Sequence, residues 1–317
     1  MSEFPLRTCG SRGLKVSALA LGGAPLGASP AGPDADAATQ DDAGARTLEV
    51  AWQEGIRHVD TSPLYGESER RIGIALGRSD FPALTISTKV GTHPSRQFSY
   101  TREDLRWSLG NSLSLLGVER VDVALIHDPP AMEPVLARGD GFDAVREMRD
   151  EGLCGNVGLG VQDHEFHRTA IERGLVDVIL TYGDYNIVRR SALPLMRFAR
   201  EHGVGVFLGS PQMHGLLASG EEPMERLRRD RRLLTWYTED DFAVAQEWFE
   251  WCRDRDIGMR HLNMRFVMAC EEADCVLTGA GNEGEVRENA SEAATPVPDD
   301  VWAEAMERVA RLDEREA

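Results

Sequence analysis

RHVDTSPLYGESERRIGIALG, residues 57–77, decides the architecture. It opens on a short apolar run, crosses a loop holding Pro63 and Gly66, and continues with apolar residues at helical spacing up to a glycine. That is a strand, a loop and a helix in succession. The same unit recurs outward in both directions. With 57–61, the strand candidates are 17–23, 84–90, 121–127, 155–161, 176–182, 204–210 and 275–279. They lack strict alternation, as expected of parallel strands covered outside by helices. Helical candidates at 44–54, 68–77, 102–116, 141–151, 164–173, 191–202, 239–254 and 284–293 fill the eight intervening slots. Ser68, Thr101 and Ser191 stand where N-caps belong, and Gly55, Gly77, Gly117, Gly152, Gly174 and Gly203 where helices stop. Eight such alternations predict an α/β chain folded as a closed (β/α)8 TIM barrel; a doubly wound sheet is the rival.

Four pieces fall outside the repeat. Residues 6–16 read as an N-terminal β-hairpin placed to plug the barrel's bottom. Residues 28–43 read as a flexible, acidic, Pro/Gly-rich loop, and 218–241 as a second long charged loop. Residues 299–315 form an extra C-terminal helix with Trp302, Met306 and Val309 on one face. No linker interrupts the chain, so residues 1–317 are expected to make one domain.

The net charge of −18 argues against nucleic acid or an anionic membrane surface as partner. Five cysteines without a close pair suggest neither a disulfide framework nor a zinc site. The start lacks a signal-like apolar run and no stretch is long enough to span a membrane, so a cytoplasmic location is expected. Lysine occurs only at Lys15 and Lys89 among 35 basic residues. Lys89, at the end of an apolar run in a chain that otherwise uses arginine, therefore calls for a buried partner.

In a barrel of this kind the active site forms at the carboxyl ends of the strands. Asp60, Lys89 and His127 lie at three successive strand ends, and Tyr65 follows Asp60 by five residues. Hydride attack on a carbonyl builds negative charge on oxygen, which a proton donor must meet. Tyrosine is a poor acid or base at neutral pH, and a nearby lysine lowers its pKa. An aspartate holds that lysine, and a histidine orients the carbonyl oxygen. Taken singly, Asp60 also reads as a turn cap, Tyr65 as packing and His127 as the close of a turn.

At these residues the chain resembles the aldo-keto reductase superfamily. HVDTSPLYGESERRIGIALG, ISTKVG, LRWSLGNSLSLLGVERVDVALIHDP and the opening TCGSRGLKVSALALGG are similar to the family's motifs. The resemblance implies a catalytic set of Asp60, Tyr65, Lys89 and His127. It also implies nicotinamide binding without a Rossmann fold, agreeing with the missing GxGxxG. Cofactor contacts are then expected from Gly22, Gly23, Gln162, Tyr182, Ser210, Met213, Gly215, Leu216, Gly279, Gly281, Glu285, Glu288 and Asn289. Gln162 departs from the family's asparagine. Glu283 and Glu285 stand where members that prefer the phosphorylated cofactor carry cations, so NAD is expected over NADP, with Arg287 as the residue that would favour NADP.

VDVILTYGDYNIV and GVGVFLGSPQMHGLLASG resemble the branch that oxidises aldoses at C1. The expected partner is thus a sugar or small aldehyde, with His93, Gln97, Asp184, His214 and Trp236 as candidates to meet its hydroxyls. Monomer and homo-oligomer both stay open. The RLRRDRRLL tract (226–234) reads as a solvated run or an anion grip, and His164 and His167 as a solvated helix face rather than a metal pair. The rival functions are an aldehyde reductase, a Schiff-base aldolase using Lys89, and a cofactor-binding regulatory subunit without turnover.

Overall fold

Eight parallel strands close on themselves, each too short and too apolar to stand without neighbours on both edges. The computed structural model describes residues 4–316. The chain begins with β1 (Leu6–Cys9) and β2 (Leu14–Ser17), followed by β3 (Leu19–Gly22), α1 (Ala37–Gln53), β4 (His58–Asp60), α2 (Ser68–Arg78) and β5 (Thr85–Val90). A small hairpin of β6 (Thr92–His93) and β7 (Arg96–Gln97) precedes α3 (Arg102–Leu116), β8 (Val121–His127), α4 (Glu133–Leu136), α5 (Gly141–Asp150) and β9 (Cys154–Gly160). Then come α6 (His164–Glu172), β10 (Val178–Tyr182), α7 (Leu193–Glu201), β11 (Gly205–Gly209), α8 (Pro223–Arg229), α9 (Glu239–Arg253) and α10 (Met259–Met268). The strand β12 (Cys275–Gly279) and the helices α11 (Glu283–Ala294) and α12 (Asp299–Glu316) complete it. Strands β3, β4, β5, β8, β9, β10, β11 and β12 are joined in that order, and β12 pairs with β3 to close the barrel. The (β/α)8 expectation holds and the doubly wound sheet does not.

The barrel's interior is filled by Ala20, Val123, Leu125, Val178, Leu180, Phe207, Cys275 and Leu277. Cys9, Leu14 and Val16 of the β1–β2 hairpin pack into the same cluster, so the hairpin does close the bottom. With that end sealed by apolar side chains, only the carboxyl ends of the strands are left to build a cleft. A larger layer of apolar residues separates the strands from the helices. All five cysteines are buried and free. Among the described residues no helix is long and apolar enough to cross a membrane.

Several expectations need correction. Helix α1 starts at Ala37, capped by Asp36 accepting from the Thr39 amide, so only the first part of 28–43 is loop. The 218–241 segment contains α8 and a 3-10 turn at Arg232–Thr235. Apart from Arg226, its arginines pair with carboxylates of the same segment. Ser68 and Ser191 do not cap: Glu67 and Ala192 hold those positions without a side-chain bond. Gly77 lies inside α2 rather than ending it. Helix α10 and the β6–β7 hairpin were not expected at all.

Candidate active site

Strand β4 ends on Asp60, and the chain then turns through Ser62 and Pro63 to Tyr65. Close backbone approach fixes this loop: a Cβ on Gly27 would stand 1.6 Å from the Tyr65 carbonyl oxygen, and Gly66 is at φ +53° against the Gly27 carbonyl. Glycine at both positions lets the turn after β3 lie directly on the tyrosine's loop.

Adjacent strands β4, β5 and β8 bring the four expected groups together. The Lys89 ammonium, almost fully buried, donates to Asp60 Oδ2 at 2.5 Å and to the Thr61 carbonyl at 2.9 Å. It lies 5.2 Å from the centroid of the Tyr65 ring. Asp60 Oδ1 accepts from Ser87 Oγ at 2.6 Å, and beneath them His58 Nε2 sits 3.2 Å from the same hydroxyl. Burial and the Lys89 charge push His58 down to about 3, so it is neutral and adds no charge under the pair. Burial works against the Lys89 charge, but Asp60 and Tyr65 outweigh it and hold its pKa above the ordinary lysine value.

Tyr65 departs from the expected electrostatics. Burial raises its pKa, the Lys89 cation pulls it back, Asp60 and Asp128 oppose the lysine, and the net shift is upward. Lys89 moderates the phenol without turning it into a tyrosinate. The His127 ring stands edge-on to Tyr65, centroids 6.2 Å apart. Its Nδ1 is 2.6 Å from Thr92 Oγ1, so with that hydroxyl donating, Nε2 carries the proton and faces the cleft. Burial and then Lys89 hold its pKa well below 6.5, which makes it a neutral donor.

These residues stand at one end of a cleft of about 860 Å³, within the usual size of small-molecule sites. Of the expected cofactor contacts, Gly22, Gly23, Tyr182, Ser210, Gly215, Gly279, Glu285, Glu288 and Asn289 line it. Gln162, Met213, Leu216 and Gly281 do not line it. The Gln162 amide is turned to the Tyr182 carbonyl, while Met213 and Leu216 are packed in the core. Among the sugar candidates, His214 and Trp236 line the cleft, stacked with centroids 4.7 Å apart. His93 packs on Trp107 instead, Gln97 is exposed on β7, and Asp184 is buried against His164 and Thr181.

Three cleft residues escaped the sequence reading. Asp128 follows His127. Arg226 is the one member of the 226–234 tract lining the cleft; its guanidinium donates to the Gly215 and His214 carbonyls, with no carboxylate within 4 Å among the described residues. Met213, His214 and Gly215 beside it are all left-handed, at φ +48°, +51° and +82°. A cation with no carboxylate in contact, beside this loop, fits a pyrophosphate. Arg260, on the unforeseen α10, is held by Glu288 at 2.5 Å and Glu292 at 2.8 Å and donates to Asn289. It is the basic group nearest the expected adenosine contacts, whereas Arg287 points to Glu283 and Glu54. Glu283 pairs with Arg46 outside the cleft, leaving Glu285 and Glu288 as the carboxylates of α11 that line it. His164 bonds Asp184, buried His167 bonds the Val161 carbonyl, and no cluster of metal-ligating side chains exists among the described residues.

The Aldo/keto reductase family model matches residues 18–309. The chain is 27% identical to the D-threo-aldose 1-dehydrogenase of a Pseudomonas species, over 93% of this chain and 94% of that one. It is 31% identical to the L-galactose dehydrogenase of Arabidopsis thaliana, over 91% and 88%. Among solved structures, an aldo-keto reductase of Bacillus halodurans in its holo form superposes with a TM-score of 0.75 at 20% identity, covering 97% and 96% of the two chains, which is a likeness of fold.

Proposed function

The chain belongs to the aldo/keto reductase family and is an oxidoreductase of a nicotinamide-dependent kind, and on that premise we propose that it oxidises an aldose at C1 to the lactone with NAD as acceptor. Asp60, Tyr65, Lys89 and His127 are its catalytic residues in this reading. The observation that carries it is the buried Lys89–Asp60 pair beside Tyr65 at the end of the cleft. Both relatives named above are sugar dehydrogenases by name, which favours the aldose over a simple aldehyde.

Oxidation removes a hydride from C1 and a proton from its hydroxyl. Bound nicotinamide supplies the hydride acceptor. Tyr65 takes the hydroxyl proton, and the adjacent Lys89 charge stabilises the phenolate that does so. Asp60 keeps Lys89 charged and aimed, and its attraction offsets part of the cost of burying that charge. His127 donates Nε2–H to the substrate oxygen and fixes its approach. Lys89 is unsuited to Schiff-base chemistry, which needs a neutral amine, because its pKa is raised rather than lowered.

Gly22, Gly23, Tyr182, Ser210, Gly215, Gly279 and Asn289 would hold the dinucleotide, with Arg226 at the pyrophosphate. The preference for NAD rests on Glu285, whose carboxylate accepts from the Gly281 amide and the Asn282 side chain at the start of α11. That carboxylate occupies the helix N-terminus where a 2′-phosphate would otherwise be welcome. Glu288 and Glu292 neutralise Arg260, the cation within reach. The test is absorbance at 340 nm with NAD and NADP in parallel against a panel of aldoses. A rise with NAD and one sugar supports the reading; reduction of simple aldehydes without any aldose oxidation replaces it with the reductase.

A further inference from the structure

At its catalytic end the cleft holds an acidic side chain that neither the catalytic set nor the expected cofactor contacts use. Asp128 follows His127 directly at the end of β8, and its backbone sits at φ +39°, in the left-handed region. Few residues other than glycine tolerate that conformation, aspartate and asparagine among them. The turn is fixed by its amide, which donates to the Gly160 carbonyl at 2.8 Å. It directs the carboxylate into the cleft rather than outward along the strand. Oδ1 accepts from the Tyr182 hydroxyl at 3.0 Å, and Oδ2 lies 3.4 Å from His127 Nε2. The side chain is still 38% exposed, and that exposure opens on the cleft it lines.

A carboxylate so placed has one chemical competence: it accepts hydrogen bonds. Tyr182 uses part of one oxygen, leaving lone pairs toward the space where substrate must lie. His127 Nε2 marks the position of the oxygen on the reacting carbon. Asp128 Oδ2, 3.4 Å from that nitrogen, marks the position of the next oxygen along the substrate. A substrate with a hydroxyl on the neighbouring carbon satisfies the carboxylate as it enters. One with a bare alkyl chain there strips water from the carboxylate and returns nothing, and such an unpaired group is where polar sites discriminate most strongly.

We propose that Asp128 reads the hydroxyl on the carbon adjacent to the reacting centre, making this a site for aldoses and α-hydroxy aldehydes and setting it against unsubstituted aldehydes. The proposal deepens the reading of the cleft as a sugar site and shares its choice of reacting carbon. It differs in resting on Asp128, Tyr182 and His127 alone, so it holds for either direction of the reaction.

The experiment compares kcat/KM for reduction of glyceraldehyde and of propanal, with NADH, by the wild-type protein, Asp128→Asn and Asp128→Ala. Asparagine keeps the left-handed turn, which guards against loss of fold, and NADH affinity by fluorescence confirms an intact cofactor cleft. Wild type should favour glyceraldehyde by at least about tenfold, and both variants should lose most of that ratio. Loss of the Asp128 charge acts on Tyr65 for both substrates alike and cancels from the ratio, so the ratio is the quantity read. An unchanged ratio in both variants, a parallel loss of both substrates, or reduction of neither aldehyde by the wild type overturns the assignment. Failure of aldose oxidation, with the ratio responding as stated, overturns the dehydrogenase reading and leaves Asp128 in its role.

Discussion

Replacing Lys89 by methionine keeps the length of the side chain and removes its charge. Asp60 is then left almost wholly buried, with the Ser87 hydroxyl still donating to it at 2.6 Å. At the 2.5 Å separation of the pair, an effective dielectric of ~20 gives a gross attraction of about 7 kcal/mol. Dehydration of both groups cancels part of it, and removing one partner of a buried pair costs about 3–5 kcal/mol. With a urea slope of about 3 kcal/mol per M, the unfolding midpoint should fall by more than about 1 M. The double variant Asp60→Asn/Lys89→Met removes the stranded charge and should recover at least half of that loss, a coupling of about 2 kcal/mol. The raised Lys89 pKa sets the pH window. Its contribution is complete below the ordinary lysine value near about 10.4 and is lost only as pH climbs through the folded value. The wild-type lysine should therefore contribute equally at pH 6 and pH 8. Urea titrations followed by tryptophan fluorescence measure all of this. A single variant within about 0.3 M of wild type, or a double variant no better than the single, would refute the argument that the pair is held by mutual charge.

The upward shift of Tyr65 makes it a phenol at neutral pH, so kcat for oxidation should climb with pH between 7 and 9 while reduction stays level; an oxidation rate flat across that range would contradict the shift. The same profiles should lack a limb near pH 6.5, because His127 titrates well below it. Arg226→Ala should weaken NADH binding about tenfold and flatten its salt dependence, measured by fluorescence at two ionic strengths; unchanged affinity would remove Arg226 from the pyrophosphate. Glu285→Arg should move the NAD-to-NADP ratio of kcat/KM about tenfold or more toward NADP, at about 1 kcal/mol of stability for the lost contacts at the start of α11. A ratio that does not move would place the selectivity elsewhere, with Arg260 and its two glutamates the next to test.

The parts legible in the sequence were those governed by local pattern. Residues 121–127 and 275–279 match β8 and β12 end for end, because short, mainly apolar runs that follow a charged residue, here Arg120 and Asp274, have few alternatives. Lys89 stood out through its rarity in an arginine-rich chain, and Asp60 through the demand that a buried lysine makes. What escaped depends on tertiary direction. Helix α10 was invisible because eight strand–helix units already accounted for the repeat, and with it went Arg260. The RLRRDRRLL tract gave no sign that Arg226 alone turns inward, since that follows from where the Gly215 carbonyl sits. Gln162 matched by position, yet its amide is spent on the Tyr182 carbonyl. Asp128 had a signal, a carboxylate directly after the strand-end histidine, but the left-handed turn that aims it into the cleft is a property of the fold.

The most direct measurement is turnover at 340 nm with NAD and the aldose panel, for wild type and Tyr65→Phe side by side, with NADH affinity measured on both. The account predicts oxidation of at least one aldose by the wild type. The variant should lose about 10²–10⁴-fold in kcat with NADH binding unchanged. Turnover by Tyr65→Phe within tenfold of wild type, or tight NAD binding with no aldose oxidised, would contradict it.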